Sequence, residues 1–391
     1  MWGTGASSTQ TEGAAPASDW LQWEAAGRAP NSGNGNGFGQ RYAEDFAQLA
    51  RLGLTHHRLS IEWARIEPEQ GVHDAAAVDH YRAVLGAARE AGITPWLCLH
   101  HFTFPAWFAG LGGFLIERNR TEYWTPHVDF MAETFGDLVG GWKPVNEHNF
   151  WPIGAYGGGG LPPGHRDREE RAMVTEAIHL ATAEAAVRLR ATGAPVASVF
   201  SLSTEVALDD DEKTKTVVGR LRTNGWDIGL GLFRDGVLRV SGRDPVERPD
   251  LAGSFDLLGF SYYATIGVRQ GQIVPYPEDG PRSPLGYAVS TDGLRLVLER
   301  LAAEVPGTPI VVAEYGIGTD DDSVRAEYLR SGLQIVHDAI AAGIDVRGFF
   351  HWTAVDNYEW LHGYDVSFGL IDRDRNVRPS AQVLREQVGA S

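Results

Sequence analysis

With 391 residues and 34 lysines and arginines against 51 aspartates and glutamates, the chain is long enough to bury a large core, and its formal charge of −17 is the wrong sign for a nucleic-acid partner. The single cysteine, Cys98, cannot form an intrachain disulfide and reads as a small buried hydrophobe. No basic segment followed by an apolar core is visible at the start, and no apolar run reaches membrane-spanning length, so a cytoplasmic location without a membrane partner is expected.

Strand-like and helix-like stretches alternate from end to end. WGTGASST precedes the helical pattern RYAEDFAQLARLG, THHRLSIEW precedes VDHYRAVLGAAREAG, and TPWLCLHHF precedes EYWTPHVDFMAETFGDLV. After GWKPVNEHN comes the helix ERAMVTEAIHLATAEAAVRLRATG, then the strand PVASVFSLS and a less regular stretch. FDLLGFSYYATIGV is followed by TDGLRLVLERLAAEV, TPIVVAEYGI by RAEYLRSGLQIVHDAIAAG, and VRGFFHWTAVDN by a terminal helix near SAQVLREQVG.

Eight such units without a Pro- or Ser-rich linker predict one closed (β/α)8 TIM barrel, a single catalytic domain over 1–391. In that fold the C-terminal ends of the strands converge on one mouth, which places Glu147 and Glu314 together at the ends of strands four and seven. The Gly-rich stretches NSGNGNGFG and GGGG (157–160) lack a following Lys-Ser or Lys-Thr and read as flexible mouth loops, and the acidic run Asp209 to Glu212 reads as a solvated loop.

Each candidate residue has a structural explanation on its own. Glu314 could pair with an arginine or cap a helix, Trp352 could be core, and Glu359 could be half of an ion pair. The combination is harder to dismiss. Gln10, Arg58, His101, Tyr263, Trp352, Glu359 and Trp360 all fall at strand ends, giving tryptophan faces for the C–H surface of a sugar and amides and carboxylates for its hydroxyls. No metal or other cofactor is expected. The pairs His56–His57 and His100–His101 point to opposite faces of a strand, and no helical His-x-x-x-His pattern appears.

The motifs WGTGASSTQTEG, RLSIEWARIEP, LHHFTFPAWF, VNEHN, AEYG and WTAVDNYEWLHGY occur in the order in which glycoside hydrolase family 1, the β-glucosidase family, carries its own, and the chain resembles that family over essentially its whole length. The resemblance implies a retaining exo-acting β-glycosidase, most simply a β-glucosidase, acting on small β-glycosides or short oligosaccharides. In it Glu147 is the acid/base and Glu314 the nucleophile. Gln10, His101, Asn146, Glu359 and Trp360 hydrogen-bond the glycone, Trp352 stacks beneath it, and Arg58 and Tyr263 hold the nucleophile. The carboxyl separation expected of a retaining enzyme is about 5 Å. Burial and the charge of Glu314 are expected to keep Glu147 protonated. His148, Tyr315, Thr103, Ser261 and Ser367 depart from the family pattern. Two alternatives share the fold: a transglycosylase using the same site, and a non-catalytic sugar-binding barrel.

Overall fold

The computed structural model describes residues 1–389. Its framework is eight parallel strands: β1 (Trp2–Gly5), β2 (His56–Ser60), β3 (Thr94–His100), β4 (Gly141–Val145), β5 (Phe200–Ser201), β6 (Leu258–Tyr262), β7 (Ile310–Tyr315) and β8 (Val346–Trp352). They lie side by side in the order β4-β3-β2-β1-β8-β7-β6-β5. The ring closes where Trp142 of β4 bridges Val196, just ahead of β5, and where the Glu147 N–H donates to the Val199 carbonyl at 2.9 Å. The result is a (β/α)8 barrel. The strands are buried along most of their length because both faces are covered, as β7 shows with all six residues buried.

Helices α1 (Phe38–Arg51), α2 (Ala75–Glu90), α3 (Thr125–Phe135), α4 (Arg168–Leu189), α5 (Glu212–Arg222), α6 (Asp292–Glu304), α7 (Asp322–Ala341) and α8 (Ser380–Gly389) follow the strands in turn. Their starts are written in the sequence. Asp74, Asp167, Asp211 and Asp321 each accept hydrogen bonds from backbone N–H groups in the first turn of α2, α4, α5 and α7. Between the strands, Trp96, Val311 and Phe350 pack with Ala197 and Leu257 in the barrel interior, and the Lys143 ammonium lies 4.4 Å from the Phe350 ring centre.

Three expectations need correction. The less regular stretch after β5 contains α5, which runs on through a π-helical turn at Thr223–Asp227 into Ile228–Asp235. The acidic run is solvent-exposed at 210–212, and within it Asp211 also caps that helix. FDLLGFSYYATIGV is two strands and not one: β6 stops at Tyr262, and Thr265–Arg269 leaves the barrel to join Gln272–Tyr276 and Glu205–Ala207 in a separate three-stranded sheet.

The third correction concerns NSGNGNGFG, which is packed and not loose. Gly35 has φ +62° and its missing side chain would stand 2.2 Å from the Thr11 carbonyl carbon, so only glycine fits. Next to it, buried Asn36 donates to the Asp356 carbonyl at 3.1 Å. The loop is thereby fastened to the segments that follow β1 and β8. Among the described residues no helix is long and apolar enough to cross a membrane.

Candidate active site

Glu314 is the penultimate residue of β7, one position earlier than a strand-end reading places it, and sits opposite Ser261 of β6 across an irregularity in register. Its side chain is 4% exposed and its Oε1 pairs with the guanidinium of Arg58, which is fully buried. Tyr263 donates its hydroxyl to the other oxygen, Oε2, at 2.7 Å. Isolating a carboxylate from water is costly, and a buried cation with a second donor offsets that cost. Arg58 is itself fixed: Nη2 donates to Asn146 Oδ1 and Nη1 to His101 Nδ1, both at 3.0 Å. Gly5 of β1 lies between Arg58 and Trp352 in register, and a side chain there would stand 2.9 Å from the indole of Trp352. The glycine in WGTG therefore leaves room for both.

Glu147 lies two residues beyond β4, which ends at Val145, so it belongs to the turn and not to the strand. Its φ of 46° is a left-handed conformation that costs a non-glycine residue of order 1–3 kcal/mol. The surroundings impose it. The N–H is bound to Val199, and the carbonyl accepts from Phe150 N–H at 2.8 Å and Trp151 N–H at 3.0 Å. Burial pushes the Glu147 carboxyl up to about 7, while the neighbouring Ser261 hydroxyl and the charge of Arg58 act in the opposite direction. The carboxyl is therefore substantially protonated at neutral pH, with burial and not the charge of Glu314 as the leading cause.

The remaining predicted residues gather around this pair. Gln10 sits on a short helix, Ser8–Glu12, just past β1, where its amide donates to the Tyr358 carbonyl at 2.9 Å and to Glu359 Oε2 at 3.1 Å. Burial, with the charge of Glu147, raises the Glu359 carboxyl to about 8, and the Gln10 hydrogen bond opposes this. His101 is held well below the usual imidazole range by burial and by Arg58. Because Arg58 donates to its Nδ1, the proton of this neutral ring is on Nε2. The His101 ring is nearly parallel to both Trp352 and Trp360, with centroids 5.6 and 6.1 Å away.

Gln10, His101, Asn146, Glu147, Tyr263, Glu314, Trp352, Glu359 and Trp360 all line one open cavity of about 570 Å³, and Arg58 stands directly behind it. The histidine pairs do not converge. His57 Nδ1 bonds Thr4 Oγ1, whereas His100 Nδ1 bonds the Thr103 carbonyl, away from His101.

The sequence-level reading missed much of the outer wall. Phe102, Phe150, Leu161, Leu202, Ile266, Leu285, Tyr287 and Leu361 also line the cavity. Ile266 belongs to the accessory-sheet strand Thr265–Arg269, and the others come from loops and short turns after β3, β4, β5, β6 and β8, where no periodic pattern marks which side chain turns inward.

The departures from the motif pattern have separate fates. Thr103 donates to Glu62 at 3.0 Å, Tyr315 bonds the Tyr328 carbonyl at 2.8 Å, and Ser367 donates to Asp320 at 3.1 Å. His148 packs beneath the site, with its ring centroid 4.8 Å from that of His179 and 4.7 Å from that of Phe200. Only Ser261 reaches the cavity.

Residues 1–388 match the family model described as glycosyl hydrolase family 1. A β-galactosidase of Saccharolobus solfataricus is 28% identical over 95% of this chain and 89% of its own length. A bifunctional β-D-glucosidase/β-D-fucosidase of Bifidobacterium breve is likewise 28% identical, over 95% of this chain and 92% of its own. Among solved structures, a β-glycosidase from Pyrococcus horikoshii superposes with a TM-score of 0.90 at 28% identity, covering 99% of this chain and 93% of that one. The β-glucosidase from Thermotoga maritima in complex with glucoimidazole shares the fold with a TM-score of 0.91 at 23% identity, covering 100% and 97%.

Proposed function

Because the chain belongs to glycosyl hydrolase family 1, we propose that it is a retaining, exo-acting β-glycosidase whose preferred glycone is β-glucose, acting as one catalytic domain over 1–391. The observation that carries this reading is the buried Glu314, held between Arg58 and Tyr263 in the same cavity as a Glu147 whose carboxyl is raised to about 7.

In the first step the Glu314 carboxylate attacks the anomeric carbon while Glu147 gives its proton to the departing oxygen, leaving a covalent glycosyl-enzyme. In the second, Glu147, now ionised, takes a proton from water, and the water displaces Glu314 with net retention. Arg58 keeps the nucleophile ionised, and Tyr263 fixes the direction of its attacking oxygen. His101 offers an Nε2–H donor, Asn146 an amide, and Trp352 a ring face to the sugar.

Gln10 and Glu359 form a linked amide-carboxyl pair that would satisfy neighbouring hydroxyls at the non-reducing end. A site that pairs those hydroxyls rejects sugars that leave its polar groups unmatched, and a carboxyl free to rotate accepts either epimer at C4. Relatives named for galactosidase and fucosidase activity support such tolerance. The acidic surface and the lone cysteine fit a cytoplasmic setting.

A panel of chromogenic β-glycosides, with the first-formed product anomer followed by NMR, tests the proposal. β-Glucosides should be cleaved fastest and release β-glucose first. Faster cleavage of β-glucuronides, or α-glucose as the first product, would overturn it.

A further inference from the structure

Exposure sets the depth of the cavity. Gln10 is fully buried and Trp352 is 3% exposed, whereas Phe150 is 41% and Leu361 46% exposed, so the sugar-binding group forms the floor and these two side chains form the rim. The rim and the buried wall below it, where Leu161 is 7% and Leu202 3% exposed, are assembled from separate segments. Phe150 and Leu161 flank the π-helical turn Gly154–Gly158 after β4, Leu202 follows β5, Ile266 belongs to the accessory sheet, and Leu361 lies in the short helical turn Trp360–His362 after β8. A side chain at Gly160 would come within 3.5 Å of Leu361, so the loops after β4 and β8 meet there.

The polar content of the lining is divided unequally. The charged residues that line the cavity are Glu147, Glu314 and Glu359, and its carboxamides are Gln10 and Asn146, all of them in the catalytic or glycone group. What remains for a leaving group is mainly apolar, with Ser201, Ser203, Ser261, Tyr287 and His362 as its polar members. A second sugar ring buries several hydroxyls that each need a donor or acceptor, and leaving them unmatched is costly. An alkyl or aryl group needs only area, and large exposed apolar side chains at a cavity mouth mark such a surface.

We infer that the leaving-group side of this site selects β-glucosides of apolar alcohols, with a flexible chain or a hydrophobic ring as aglycone, over glucosides whose leaving group is another sugar. Phe150, Leu161, Leu202, Ile266 and Leu361 are the residues that set this preference. The inference rests on the glycosidase reading for the bond that breaks, but not for the recognition of the aglycone.

The test is a series of ethyl, butyl and hexyl β-glucosides against cellobiose. The three alkanols have nearly equal acidity, so differences among them in kcat/KM report binding of the aglycone in the transition state. The glucose 4-hydroxyl released from cellobiose is the more acidic, so a lower value for cellobiose is not a leaving-group effect. Each buried methylene should raise kcat/KM by about twofold to fourfold, so hexyl should exceed ethyl by at least about tenfold. Cellobiose should fall below the hexyl glucoside. In Phe150→Asn and Leu361→Asn the ratio of hexyl to ethyl should drop toward one, whereas general damage to the fold would lower both substrates and leave the ratio unchanged.

A flat alkyl series, or cellobiose preferred over hexyl glucoside, overturns the inference while leaving the glycosidase reading intact. If no β-glucoside is cleaved, the catalytic reading fails by itself. The aglycone inference is then judged by equilibrium binding of hexyl and ethyl β-glucosides, where equal affinities would refute it.

Discussion

Tyr263 donates its hydroxyl to Oε2 of Glu314 at 2.7 Å, while Oε1 of the same carboxylate faces the guanidinium of Arg58. The nucleophile therefore has one oxygen held by charge and the other by a neutral donor. A hydrogen bond to a charged group contributes about 1.5–3 kcal/mol, so Tyr263→Phe should lower kcat by roughly tenfold to a hundredfold. Steady-state kinetics on an activated aryl β-glucoside will check this. An unchanged kcat would mean that the contact orients nothing needed for the reaction.

Glu314→Ala should abolish turnover on every glycoside, because it removes the carboxylate that forms the covalent intermediate. Azide or formate entering the space left by the side chain should restore cleavage of activated substrates and give a product of inverted configuration. NMR of that product decides the matter. Rescue with retention would assign the nucleophile elsewhere.

The protonation of Glu147 predicts a basic limit to activity. Its carboxyl is raised from an ordinary 4.5 to about 7, so the acid form needed in the first step is present below pH 7 and lost above it. For substrates with poor leaving groups, kcat/KM should fall about tenfold per pH unit once pH exceeds about 7. A dinitrophenyl glucoside, whose leaving group needs little protonation, should show a much weaker basic limb in its kcat/KM profile. Identical limbs for both would remove Glu147 from proton donation.

Asp19 offers a test of stability away from the reaction. Burial raises its carboxyl from 3.8 to about 8, against the opposing hydrogen bond from Phe104 N–H. The folded state thus holds a proton that the unfolded state releases, and the associated stability is complete below pH 3.8 and lost as pH rises to about 8. Asp19→Asn keeps an oxygen acceptor and removes this titration. Relative to wild type it should gain stability between pH 5 and 8, by up to about 1.4 kcal/mol per pH unit. Urea midpoints at the two pH values will show it, and a constant difference would mean that the carboxyl does not titrate with folding.

Legibility in the sequence followed the periodic elements. β7 is an apolar run interrupted only by Glu314, α7 has its capping Asp321, and the alternation of such units implied the barrel before any contact was known. Motif order supplied Gln10, Glu147 and Glu359, but their local geometry was hidden. Nothing in VNEHN announces that the strand ends at Val145 and that Glu147 turns into a left-handed conformation, because that is imposed by Val199, Phe150 and Trp151 from outside the motif or just beyond it. Phe150 and Leu361 were unreadable for a different reason. Phe150 lies in a turn and Leu361 in the short helical turn Trp360–His362, and their sharing one rim depends on barrel closure bringing distant segments together. Helix α5 escaped notice because it is mostly exposed and strongly charged, with Val218 as its one large buried apolar residue.

Glu147→Ala separates proton donation from every other role of the turn. Without the carboxyl, a dinitrophenolate can still depart unaided, so the glycosyl-enzyme should form at a rate close to that of wild type and then accumulate, because no base remains to activate water. Alkyl and sugar leaving groups, which need the proton, should lose several orders of magnitude in kcat/KM. Azide, a nucleophile that needs no deprotonation, should speed release and yield a glycosyl azide of retained configuration. The φ of 46° at this position is no worse for alanine than for glutamate, since both carry the Cβ that makes it costly. If Glu147 mattered only as a side chain that packs the turn, alanine would loosen that packing and depress all substrates by the same factor. Glu147→Gln, which preserves side-chain volume, should reproduce the dependence on leaving group if proton donation is the role. A folded Glu147→Ala protein with equal fractional losses on dinitrophenyl and alkyl glucosides would show that Glu147 is not the acid/base.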